Sequence, residues 1–97
     1  MKTKEEIVEI LKQELPYLKK KFGVKTIGIF GSCAREEAKP ESDIDILIEI
    51  ERPMGFFTFL DIEEYLTKKL GMKVDLVTPD ALKPLIKPHI MEDVVYA

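Results

Sequence analysis

The sequence contains a single cysteine, a single histidine and no tryptophan. Cys33 alone can form no internal disulfide and no cysteine-built zinc site. Long apolar runs are absent as well. No stretch approaches the roughly 18 apolar residues of a membrane span, and the nearest one is broken by Gly28. The amino-terminal Met1-Lys2-Thr3-Lys4-Glu5-Glu6 is charged and lacks the apolar core of a secretory signal. There is no basic excess either: 15 Lys and Arg stand against 18 Asp and Glu, a formal charge of −3. A general nucleic-acid binder would carry surplus positive charge. These absences give the expectation of a cytoplasmic protein with no membrane association and no general nucleic-acid binding.

What is present fits one domain, residues 1–97, with 45% hydrophobic residues available for a core. A domain of this size hides only about two-thirds of the surface that its unfolded chain exposes, so a partner would add stability.

Ile7, Ile10, Leu11, Leu15, Leu18 and Phe22 recur at helical spacing, and Thr3 followed by Glu6 forms a capping-box pattern at the start. Pro16 is expected to kink or divide this helix, and Gly23 to end it. Val24 to Phe30 is β-branched and apolar, a buried strand. Cys33 to Ala38 reads as a short helix, followed by a polar loop, Lys39-Pro40-Glu41-Ser42. From Asp43 to Ile50 the alternation is regular. Ile44, Ile46, Ile48 and Ile50 share one face, and Asp43, Asp45, Leu47 and Glu49 share the other. Phe57 to Leu70 is an amphipathic helix with Gly71 as its cap. Met72 to Val77 is a third strand, with Val74 and Leu76 opposed to Lys73, Asp75 and Val77. Thr78-Pro79-Asp80 is a turn or helix start. Leu82, Ile86, Ile90 and Val94 then suggest two short helical pieces, the last opening near Pro88. The expected fold class is α/β (α+β), in the order αβαβαβα: a small three-stranded mixed sheet with helices on its apolar face.

Three aspartates lie on the polar faces of two strands. Asp43 and Asp45 are two residues apart, so their side chains project the same way about 7 Å apart. Asp75 has the same relation to its own apolar face. If the two strands pair in register, the three carboxylates converge, and a divalent cation would relieve their repulsion. Hard oxygen ligands suit Mg²⁺ shared with substrate phosphates. The plainer reading is a solvated sheet face, although strands disfavour aspartate. Gly31-Ser32, between a strand and a helix, would aim backbone N–H groups and a hydroxyl at one spot, a cradle for phosphate. Its plainer reading is an ordinary turn in which Ser32 caps the helix.

Taken in order, Gly31-Ser32-Cys33-Ala34-Arg35, Ser42-Asp43-Ile44-Asp45 and the later Asp75 resemble the polymerase-β-like nucleotidyltransferases. The closer resemblance is to the minimal nucleotidyltransferases (MNT), the antitoxin halves of HEPN–MNT toxin–antitoxin pairs, and it covers nearly the whole chain. It implies the polymerase-β-like fold. It implies that Gly31 and Ser32, with Arg35 and Ser42 beside them, bind the nucleotide. It also implies that Asp43, Asp45 and Asp75 are catalytic metal ligands for Mg²⁺, Asp75 also helping to deprotonate the acceptor hydroxyl. The implied activity is transfer of AMP from ATP to a tyrosine of a cognate HEPN toxin, in a hetero-oligomer with that toxin. Two alternatives stand beside it: an antitoxin that acts by binding alone, and an antibiotic-type enzyme with a small-molecule acceptor. The family often has Gly directly after the Arg, where this chain has Glu36, a departure that bears on the loop from Glu36 to Glu41.

Other residues invite lesser readings. Arg35 suits phosphate oxygens but equally suits Glu36, Glu37 or Glu41. Cys33 is expected to be a packing residue, and His89 a surface or capping residue. Phe56, Phe57 and Phe59 are expected to lie mostly in the core.

Overall fold

The computed structural model describes residues 2–37, 39 and 41–97. The first helix, α1 (Lys4–Phe22), opens with the capping box: Glu6 N–H donates to the Thr3 hydroxyl and Thr3 N–H to the Glu6 carboxylate. These bonds satisfy amides that the first helical turn leaves without partners. Pro16 does not divide the helix, which runs through it as one element. Pro16 lies on the exposed side, while Ile7, Leu11 and Leu18 are buried. Burial of that stripe outweighs one lost backbone bond. Gly23 closes the helix in the left-handed conformation, φ 76°.

Strand β1 (Val24–Phe30) follows, then a single helical turn, α2 (Gly31–Ala34), shorter and earlier than the expected Cys33–Ala38. Ala38 and Pro40, which fall in that expected helix and the loop after it, lie outside the described residues. Strand β2 (Ile44–Ile50) leads to helix α3 (Phe56–Leu70), which is closed by Gly71 at φ 68°. Strand β3 (Val74–Val77) is followed by a 3-10 turn, Pro79–Ala81, helix α4 (Lys87–Asp93) and strand β4 (Val95–Tyr96).

The sheet is mixed and has four strands, not three, in the order β3-β2-β1-β4. The additional strand was hidden because Val94 continues a helical spacing, and two residues carry too little alternation to signal a strand. β4 pairs antiparallel to β1, with Val95 opposite Ile29 and Tyr96 opposite Gly28. β1 and β2 are antiparallel, and β2 and β3 are parallel, joined through the α3 crossover.

Ile27, Ile29, Ile44, Ile46, Ile48, Val74 and Leu76 face α1 and α3 and form the core with them. The opposite face is only partly open. Leu47, assigned to the polar face, is fully buried outside that core, and Phe30 is nearly so. The chain from the 3-10 turn to α4 touches β2 and β1 on its way from one sheet edge to the other. Helical cover is therefore not confined to one face. Glu63 on α3 accepts a 3.1 Å hydrogen bond from Leu76 N–H at the outer edge of β3.

Candidate active site

Strand pairing decides where the three aspartates lie. Asp45 is the direct partner of Asp75 across the parallel β2–β3 pair, on the face away from the core. Asp43 immediately precedes β2, and Ile44 N–H is anchored to the Lys73 carbonyl at 2.9 Å, which sets Asp43 beside Lys73. On the other side of Asp45, its antiparallel partner is Phe30, the last residue of β1. Gly31 and Ser32 follow directly. One end of the sheet thus carries the Gly-Ser turn and all three acids.

Asp45 is half-buried, whereas Asp43 and Asp75 are exposed. Burial, and then the negative charges of Asp75 and Asp43, push the Asp45 carboxyl above the usual carboxylate range, with Arg35 opposing them in part. Gly31 touches the same carboxylate. It adopts φ +69°, and a Cβ built there would overlap the Asp45 Oδ2 atom. Two independent constraints, backbone conformation and space, therefore require glycine.

The donor set fits a hard divalent cation. It offers carboxylate oxygens from adjacent strands, and its most buried member is strained by like charge. The side chains are not yet gathered. Among the described residues, no group of three or more His, Cys, Asp or Glu has its donors poised at one point. Asp43 instead faces Lys73, with Nζ 3.9 Å from its Oδ2. Asp43 would turn from Lys73 to join the other two.

The turn at residues 35–37, which ends α2, has a definite geometry. Glu37 N–H donates to the Ser32 carbonyl and Glu36 N–H to the Cys33 carbonyl, the paired bonds of a Schellman ending. Its left-handed position is occupied by Glu36, φ 61°, where the resemblance led one to expect glycine. A side chain in that conformation costs about 1–2 kcal/mol, partly offset by the entropy that glycine would lose. Glu36→Gly is expected to raise stability by about 0.5–1 kcal/mol in urea unfolding. An unchanged or lower midpoint would show that the Glu36 conformation carries no strain.

Arg35 engages Glu37 at 3.5 Å and Asp93 of α4 at 3.3 Å. Glu37 was among its anticipated partners; Asp93 was not, and a contact spanning 58 residues leaves no local signal. Ser42 closes a turn, its hydroxyl accepting from Lys39 N–H at 3.1 Å. Cys33 is buried, and burial followed by the Asp45 charge raises its thiol, which disfavours a nucleophilic thiolate. His89 is exposed in the first turn of α4. Phe56 and Phe57 are 69% and 79% exposed, contrary to the core assignment; of the three, Phe59 alone packs against the core. They occupy the first turn of α3, away from its buried stripe of Ile62, Leu66 and Leu70. Lys73 is the site residue that sequence reasoning passed over, although its spacing of two from Asp75 was a usable signal.

Two surface depressions are lined by Lys2, Glu6, Leu70, Gly71 and Met72, and by Glu49, Ile50, Thr78, Pro79 and Asp80. Neither includes an aspartate of the trio. No helix among the described residues is long and apolar enough to cross a membrane.

An acid-bearing mixed sheet with a Gly-Ser turn at the same end is the arrangement of a nucleotidyl-transfer domain. The chain matches the family described as nucleotidyltransferase domain over residues 4–97, and it belongs to that family. Among its relatives is the protein adenylyltransferase MntA of Thermococcus cleftensis, 45% identical over 96 residues, covering 99% of this chain and 97% of that protein. A Methanocaldococcus jannaschii relative, provisionally named a protein adenylyltransferase, is 48% identical over 97 residues, covering 99% of both chains. In fold, the chain is similar to a solved structure of a toxin–antitoxin with AMP-PNP. The TM-score is 0.69 at 19% identity, covering 96% of this chain and 70% of that one.

Proposed function

We propose that this chain is a single-domain protein adenylyltransferase that transfers AMP from ATP to a tyrosine hydroxyl of a partner toxin of the HEPN class, and so neutralises it. The observation that carries the proposal is the in-register pairing of Asp45 with Asp75, with Asp43 and Gly31 adjoining. The near-full-length likeness to a protein adenylyltransferase supports it.

In this reading Gly31 and Ser32 hold the triphosphate tail through backbone N–H groups and the hydroxyl, with Arg35 and Ser42 bordering the same pocket. Asp43, Asp45 and Asp75 would hold Mg²⁺, which would supply Lewis-acid polarisation at the α-phosphate and charge neutralisation on the departing pyrophosphate. The acceptor oxygen forms a bond to the α-phosphorus as the bond from that phosphorus to the bridging oxygen breaks, and pyrophosphate leaves. Asp75, on the edge strand, takes the acceptor proton. The acceptor is then a separate protein, as the near-full-length likeness to a protein adenylyltransferase supports.

The test is to incubate the protein with ATP, MgCl₂ and the product of the adjacent gene, then weigh that product intact. Mass gain in AMP units is expected with the natural sequence and not with Asp43→Asn combined with Asp45→Asn. Equal mass gain with both proteins would overturn the mechanism. Full neutralisation by the double variant, with unaltered binding, would instead identify an antitoxin that works by binding alone.

A further inference from the structure

Lys73 has no part in this chemistry, yet it flanks the acidic end. It immediately precedes β3, two residues before Asp75, and its ammonium lies 3.9 Å from Asp43 Oδ2. The side chain is 80% exposed and its partner 43% exposed. So open a pair at such a distance is held weakly and exchanges readily. The cation that acts on Asp45 is Arg35, which is already engaged by Glu37 and Asp93 on the far side of the site.

Strand order gives Lys73 a direction. Across the sheet, Gly31 and Ser32 follow β1, Asp43 and Asp45 belong with β2, and Asp75 lies on the edge strand β3, which Lys73 immediately precedes. In the proposed reading the triphosphate tail lies at the Gly-Ser turn and Asp75 of β3 takes the acceptor proton, which puts the acceptor hydroxyl on the β3 side. Lys73 is an exposed cation on that flank.

We infer that Lys73 is an acceptor-specificity residue: its ammonium exchanges Asp43 for a carboxylate that neighbours the receiving hydroxyl on the partner protein. The acceptor segment is therefore acidic. This assignment rests on the reading of the site as a protein adenylyltransferase. It gives the exposed lysine a consequence for which partner is modified, and none for nucleotide binding.

Steady-state transfer to the partner protein tests it with Lys73→Ala, Lys73→Glu and Lys73→Arg. The expected result is a KM for the partner raised about three- to tenfold by Lys73→Ala and further by Lys73→Glu, with Lys73→Arg near the natural value. The KM for ATP and the kcat at saturating partner should stay within about twofold, because a group outside the transfer step changes neither. Calorimetric titration of the partner without ATP should show the same ranking, and a shallower dependence on salt for Lys73→Ala. Partner variants with Asp and Glu around the modified tyrosine changed to Asn and Gln should lose their sensitivity to Lys73→Ala. An altered KM for ATP, or no change in partner KM and binding, would overturn the inference while leaving the adenylyltransferase reading intact. Absence of transfer by the natural sequence would overturn both.

Discussion

Asp45→Asn is expected to make the protein more stable and to lower AMP transfer by at least about 10²-fold. The two effects share one cause. Burial and the charges of Asp75 and Asp43 raise the Asp45 carboxyl above its unfolded value, so folding favours its protonated form. For a group raised in this way, its contribution to stability is complete below the ordinary aspartate range and is lost as pH rises through the higher folded value. At neutral pH the ionised carboxylate therefore works against the fold. Asparagine keeps the shape and removes the charge. The stability gain over the natural sequence should appear in thermal melts at neutral pH without divalent cation, and should vanish in acid. Adding Mg²⁺ should reverse the ranking, because a ligand that binds only the folded state stabilises by about 2.7 kcal/mol at a hundredfold excess over its Kd. For a domain of this size, each kcal/mol moves Tm by roughly 4–8 °C. Equal melting of the two proteins in the absence of cation, or equal response to Mg²⁺, would remove Asp45 from the centre of the site.

Gly31→Ala is expected to do the opposite to stability and much the same to activity. The left-handed conformation at φ +69° and the overlap with Asp45 Oδ2 act together, and about 1–3 kcal/mol should be lost. Relief of the overlap moves the carboxylate, and displacement of a reacting group by about 1 Å can lower the rate by about 10²-fold. The two contributions can be separated. In an Asp45→Ala background the overlapping oxygen is gone, so Gly31→Ala should cost less there than in the natural sequence. Interactions between contacting residues amount to about 0.5–3 kcal/mol in such cycles. A cost that is the same in both backgrounds would mean that the Gly31–Asp45 contact contributes nothing beyond backbone conformation.

The sequence was most informative where one pattern served two purposes. The isoleucines at 44, 46 and 48 all became core residues, and by alternation they set Asp45 on the opposite face. The same alternation placed Asp75, but its pairing with Asp45 is a long-range property, fixed only when α3 packs and carries β3 back alongside β2. Where the chain reverses character over two or three residues, the pattern failed. Val95 and Tyr96 form a strand because β1 offers them an edge, and nothing local distinguishes them from the end of a helix. Leu47 looked like an interruption on a polar face. It is buried because a distant segment crosses above it. Phe56 and Phe57 failed differently: aromatic residues favour the interior on average, but the direction of α3 is set by its later leucines and isoleucine, which turn the first two aromatic rings to solvent.

The hydrogen bond from Leu76 N–H to Glu63 has a consequence for solubility. β3 is one of the two outermost strands of the sheet, and an open outermost strand invites a copy of itself to zip alongside and begin a fibre. The carboxylate of Glu63 already occupies one of the amides on which such a zipper would depend. It also brings a negative charge to the spot where an incoming backbone would have to lie. The edge beside the acid-lined end is in this way guarded against pairing with a second copy of the chain.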